Sequence, residues 1–81
     1  MKLQILGTGC AKCKELAERA AQAAQEMGVD ADIEKVADVK EIMKFSILFT
    51  PGLVVNGKVK AAGRVPSVAE IKDFIQAAEG A

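Results

Sequence analysis

The chain has 81 residues, eleven basic against eleven acidic side chains, and 51% hydrophobic residues. That size fits one small domain spanning 1–81 with a modest core, and a neutral balance with Phe45, Phe49 and Phe74 as the only aromatics argues against a nucleic-acid partner. The absence of histidine removes Ser-His-Asp catalysis, Cys-His catalysis and His-ligated metal sites, so chemistry must run on sulfur, carboxylate, amine or hydroxyl.

Lys2-Leu3-Gln4-Ile5-Leu6 alternates loosely and predicts a first strand. Gly7-Thr8-Gly9 then turns the chain into Cys10-Ala11-Lys12-Cys13, the only two cysteines. From Ala11 to Met27 the residues are mostly strong helix formers. Leu16, Ala20, Ala24 and Met27 recur at helical spacing and predict one buried stripe, while Glu15 with Arg19 and Lys14 with Glu18 form opposite-charge i,i+4 pairs on the wet face. Gly28 stands where a helix C′ residue belongs. Val29, Ala31 and Ile33 alternate with Asp30, Asp32 and Glu34, predicting a second strand.

Asp38, with Glu41 three residues on, predicts a capped second helix whose Val39, Ile42 and Met43 face inward, fraying near Phe45-Ser46. Ile47 to Pro51 leads into Leu53-Val54-Val55. Asn56-Gly57 predicts a two-residue hairpin turn, because both positions tolerate φ > 0, and Lys58 to Ala62 is the return strand. Gly63 to Pro66 reads as a loop. Ser67 with Glu70 is a capping-box pattern, opening a terminal helix that buries Val68, Ile71, Phe74, Ile75 and Ala78. The order is βαβαββα. A helix between the first two strands implies a parallel pair and the hairpin an antiparallel one, giving an α/β fold with a four-stranded mixed sheet and helices packed on it.

Apolar stretches such as Ile47-Leu48-Phe49 are far too short to span a bilayer. Gln4 and the glycines interrupt any signal-type apolar region. The expectation is a cytoplasmic protein with no membrane partner.

The chemistry concentrates at Cys10 and Cys13. A thiol at a helix N-terminus sees unpaired N–H groups and the positive end of the helix dipole, and both favour the reactive thiolate. Helix geometry sets the two Cα atoms about 5 Å apart, inside the span a disulfide allows. A C-x-x-C behind a strand and opening a helix reads as a redox motif. A second signal is Thr50-Pro51, a proline that opens a strand just before a hairpin.

With these two motifs the whole chain resembles the small bacterial and archaeal thioredoxin/glutaredoxin-like proteins, sometimes called redox-active disulfide proteins. The resemblance implies a thioredoxin-like fold and thiol–disulfide exchange with protein disulfides, and needs no cofactor and no metal. It implies Cys10 as nucleophile, Cys13 as resolving cysteine, and Pro51 as a cis-proline facing the disulfide. Thr50 would offer backbone groups to an extended partner segment, with Gly9, Ala11 and Lys12 completing the partner-facing surface. A disulfide-containing protein substrate and a thioredoxin-reductase-type or other reductant are the implied partners, with the protein a monomer. Lys12 and Lys14 add positive charge near the sulfurs, or simply form a solvated helix face. The inner pair Ala11-Lys12 is neither Gly-Pro nor Pro-Tyr, so no redox potential carries over.

The rival reading is a carrier of Cu(I) or another soft metal on the same two thiolates. That fold runs βαββαβ and ends in a strand, whereas this chain has helix signals after its second strand and ends in a helix, and Thr50-Pro51 has no role there. A binding module using the same groove without turnover is a third reading. A dinucleotide loop at Gly7-Thr8-Gly9 is excluded, because Lys12 stands where the third glycine should be. A purely structural disulfide closing four residues would stabilise the fold by only about 2 kcal/mol.

Overall fold

A computed structural model describes residues 1–47 and 49–80; Leu48, in the segment expected to lead into the third strand, lies outside the described residues. The elements are β1 (Lys2–Leu6), α1 (Ala11–Met27), β2 (Asp32–Val36), α2 (Val39–Met43), β3 (Gly52–Val55), β4 (Lys58–Ala62) and α3 (Val68–Glu79). They build a four-stranded sheet in the order β2-β1-β3-β4. β1 runs parallel to β2 and antiparallel to β3, and β3 and β4 form the hairpin. Asn56 and Gly57 close it at φ 48° and 84°, the left-handed values a type I′ turn requires.

The two central strands divide the core between the sheet's faces. Leu3 and Ile5 of β1, with Leu53 and Val55 of β3, are buried against Leu16, Ala20, Ala23 and Ala24 of α1 and Ile71 and Ile75 of α3. Leu6 and Val54 point the other way, into a smaller cluster with Val36 and Ile42. Every residue of β3 is buried, as expected of a strand covered on both faces. β4 is an edge strand with exposed Lys58 and Lys60, and charged side chains there discourage pairing with another chain. Its register slips by one residue between Leu53 and Val54 of the partner strand, a β-bulge that leaves Lys60 unpaired.

Local signals set the helix ends. α1 stops at Gly28, at φ 68°; its N–H donates to Gln25 O and that of Val29 to Ala24 O, a Schellman closure. α3 starts with a complete capping box between Ser67 and Glu70. α1 and α3 lie together on one face, tied by a Glu26–Lys72 ion pair and by Arg19, which pairs with Glu15 and donates to the carbonyls of Val65 and Pro66.

Two expectations differ in detail. β2 begins at Asp32 rather than Val29, because Val29 is used in ending α1 and β1 offers Asp32 its first partner, Lys2. Val29, Ala31 and Ile33 still pack on the core as their alternation requires. In α2 only Ile42 faces inward. Val39 is 59% and Met43 68% exposed, because α2 is little more than one turn and Phe45 and Ile47 from the following segment fill the remaining contacts on that side. Asp38 caps α2 through the Lys40 N–H at 2.9 Å, and the Glu41 side chain turns to Lys44 instead of completing a box.

Candidate active site

The C-terminal end of β1 releases the chain into the site. Gly7 N–H still donates to Val36 O at 3.0 Å, the last bond of the β1–β2 ladder. Gly9, at φ 90°, then takes a backbone conformation that side chains disfavour. Cys10 follows as N-cap of α1, extended at φ −68° and ψ 168°.

This placement gives the two thiols different surroundings. Cys10 is exposed, and its sulfur accepts from the Cys13 N–H at 3.3 Å, the bond an N-cap side chain makes. Cys13, one turn into the helix, is 5% exposed. The sulfurs lie 2.7 Å apart as free thiols. The thiol of Cys13 and its N–H, with a smaller contribution from the Lys12 N–H, hold the Cys10 thiol below its ordinary value. Burial, reinforced by the same contact with Cys10, pushes the Cys13 thiol up. Lys12 therefore acts through its backbone, and neither its ammonium group nor that of Lys14 is among the causes of either shift.

The other flank comes from the segment before β3. The Thr50–Pro51 peptide bond is cis. Pro51 is fully buried and its carbonyl accepts from the Gly63 N–H at 2.8 Å. The antiparallel register pairs Leu6 with Gly52, so the next residues, Gly7 and Pro51, stand side by side at the end of the sheet from which Cys10 and Cys13 emerge. Thr50, Gly9, Ala11 and Lys12 are all exposed at this end. The segments carrying Gly9 to Cys13 and Thr50-Pro51 thus leave neighbouring strands at the same end of the sheet. The two sulfurs, 2.7 Å apart, are near enough for a disulfide to form between them.

A thioredoxin-domain family model matches residues 1–76. The chain is 44% identical over 75 residues to a thioredoxin of Methanothermobacter thermautotrophicus, covering 93% of this chain and 97% of that one. It is 40% identical over 74 residues to a thioredoxin of Methanocaldococcus jannaschii, covering 91% and 85%. The chain belongs to the thioredoxin family. It is a thiol–disulfide oxidoreductase, and Cys10 and Cys13 are its C-x-x-C pair. The activity implies disulfide substrates and a reductant that resets the pair.

Two residues of the site escaped the sequence reading. A Cβ on Gly7 would overlap the sulfur of Cys13, so this glycine makes room for the buried thiol. A Cβ on Gly63 would meet Phe49 Cβ at 3.1 Å; Gly63, at φ 77°, lets the loop after β4 pass beneath Phe49, which is 71% exposed beside Thr50. The Gly7-x-Gly9 spacing was the available signal for the first. Nothing local in the sequence pairs Gly63 with Phe49. Among the described residues no group of three or more Cys, His, Asp or Glu side chains gathers as a metal site, and no helix is long and apolar enough to cross a membrane.

Proposed function

We propose that Cys10 is the attacking cysteine and Cys13 the resolving one. The observation that carries this is the asymmetry of the pair: an exposed thiol whose ionised form is hydrogen-bonded, beside a buried thiol whose ionised form is disfavoured. Cys10 thiolate attacks a partner's disulfide, forming a mixed disulfide and releasing one partner thiolate. Cys13 then gives up its proton and attacks Cys10 Sγ. The Cys10–Cys13 bond forms, the second partner sulfur leaves, and two electrons have passed from the dithiol to the partner.

In this reading Thr50, Pro51, Gly9, Ala11 and Lys12 form the partner-facing surface. Thr50 supplies backbone groups to an extended segment of the partner, and Pro51, which has no N–H, presents an apolar wall to the sulfurs. Support comes from the exposure of Thr50, Gly9, Ala11 and Lys12 around the exposed Cys10. The natural setting is a reducing cytoplasm, where a free dithiol persists. There the protein works as a monomer of one domain and is reset by a thioredoxin-reductase-type enzyme.

Cys13→Ser is the test. It leaves the attacking sulfur in place and removes the resolving one, so mixed disulfides through Cys10 accumulate with protein disulfide substrates and are released by dithiothreitol. Cys10→Ser traps far less. Equal trapping by both variants would reverse or dissolve the assignment.

A further inference from the structure

The charges at the start of α1 run against the helix. The N-terminus is the positive end of a helix dipole, where carboxylates stabilise and ammonium groups oppose. α2 and α3 follow that rule, with Glu41 and Glu70 in their first turns. α1 has no acid in its first turn and carries Lys12 and Lys14 at its start instead. Neither is in an ion pair among the described residues. The Lys14–Glu18 pair expected from the spacing does not form, and Glu15, three residues from Lys12, pairs with Arg19.

Lys35, near the end of β2, is a third exposed lysine without an ion-pair partner among the described residues. It lines one hollow together with Gly9, Cys13 and Lys14. Chain direction explains the gathering: β1 and β2 are parallel, and α1 starts where β1 ends. Two carboxylates outside ion pairs share this region, Asp38, which caps α2, and Glu18, which lies beside Lys14 and Lys35. Lys40, also exposed and outside the ion pairs, offsets the first. At the far end Asp30, Asp32 and Glu79 are exposed and outside the ion pairs, against Lys58. A chain of zero net charge thus keeps a positive flank beside its exposed cysteine.

These lysines do not serve the helix, which they oppose, and they form no ion pair within the chain. The ammonium groups of Lys12 and Lys14 are not among the causes that lower the Cys10 thiol either. The remaining role is towards a partner. We propose that Lys12, Lys14 and Lys35 select disulfide partners that carry acidic residues beside the attacked disulfide. The proposal rests on the reading of Cys10 as the attacking cysteine. That attack turns one partner sulfur into a leaving thiolate. Carboxylates beside the sulfur disfavour its negative charge, so acidic disulfides react poorly with a thiol in neutral surroundings. Ammonium groups at the rim of the site offset that repulsion. They also draw such partners in before contact, because a cluster of one sign raises the encounter rate for the other. Lysine is a mobile point charge rather than a fixed fork, so the flank reads acidic surroundings rather than one sequence.

The test uses three peptides with the same intramolecular disulfide, flanked by glutamate, glutamine or lysine. Each is reduced by the full-length dithiol protein, and each rate is divided by that of the same peptide with dithiothreitol, which removes differences in intrinsic reactivity. The glutamate peptide is expected to be favoured over the lysine peptide on the order of tenfold at about 20 mM salt, the ratio falling towards one at about 0.5 M. Equal normalised rates at low salt overturn the proposal. Lys14→Gln/Lys35→Gln should lose most of the preference, and adding Lys12→Gln the rest; a preference that survives all three substitutions overturns the assignment. Lys58→Gln/Lys60→Gln makes the same change in net charge on β4 and should keep the preference. If it loses as much as the Lys14/Lys35 pair, net charge decides and the flank does not. Lys12→Gln/Lys14→Gln should melt no lower than the parent, since both lysines oppose the helix end; a lower melting temperature makes them structural and overturns their assignment to partners. The glutamine peptide reads the chemistry beneath. A protein that reduces it but shows no preference loses only the selection, whereas failure to reduce it removes the exchange reading itself.

Discussion

Cys13 meets Cys10 twice, through its backbone N–H at 3.3 Å and through its sulfur at 2.7 Å. With Cys13 protonated and Cys10 ionised, both contacts donate to the thiolate; the sulfur contact leads the lowering of Cys10 and adds to the burial that raises Cys13. The rate of Cys10 alkylation by iodoacetamide should therefore reach half its maximum at a pH below the ordinary thiol value of about 8.5, with Cys13 slower throughout. In Cys13→Ala the sulfur contact is lost and the midpoint should move up towards that value; a midpoint that stays put would assign the shift to the helix end alone. Gly7 is the other residue on which the pair depends. Gly7→Ala places a methyl where the Cys13 sulfur sits. The sulfur must swing out or the strand end must move, and overpacking of this kind costs about 1–3 kcal/mol. Denaturant unfolding of the reduced protein should show that loss, with Cys13 alkylated faster than in the parent. The cysteine spacing and the helix start were legible because they are local. The demand on Gly7 was not, since it arises where a strand end meets a helix turn six residues on.

Among the elements, those whose ends carry their own signals agreed with the sequence. α1 and α3 start and stop on Cys10, Gly28 and Ser67, and the hairpin turns on Asn56-Gly57. The departures fall where tertiary packing had the deciding vote: β2 takes its start from Lys2 of its neighbour, and α2 turns Val39 and Met43 outward because Ile42, Phe45 and Ile47 already cover that side of the sheet. The Ser67 cap offers a direct measure of how much a local signal is worth. Its hydroxyl accepts from the Glu70 N–H at 3.1 Å, and the Glu70 carboxylate accepts from the Ser67 N–H at 3.3 Å. Ser67→Ala removes the first bond and should cost about 0.5–2 kcal/mol. In a domain of this size about 1 kcal/mol lowers the melting temperature by roughly 4–8 °C. A melt within a degree of the parent would mean that α3 is held by Ile71 and Ile75 alone.

Across the whole molecule, the layer of α1 and α3 is closed at its surface by carboxylates whose partners lie elsewhere in the chain. Glu26 reaches from α1 to Lys72 of α3 and also accepts from Gln22, while Glu70 joins the Ser67 cap to Arg64 in the preceding loop. The Lys72 ammonium group, followed by the Gln22 amide, holds the Glu26 carboxyl below its ordinary value, and the Ser67 N–H followed by Arg64 does the same for Glu70. A carboxyl lowered in the folded state binds its proton more tightly in the unfolded chain. Its contribution is therefore fully present above the ordinary carboxylate value of about 4.3 and is lost as pH falls through the lowered folded value. Both groups are open to solvent, so salt should weaken the effect. The melting temperature of the reduced protein is expected to be flat from pH 7 to 5 and to decline below pH 4. In Glu26→Gln/Glu70→Gln it should start lower at neutral pH and decline less steeply in acid. If the double variant loses as much on acidification as the parent, other carboxylates govern the acid limit and these two bridges are ornaments of the surface.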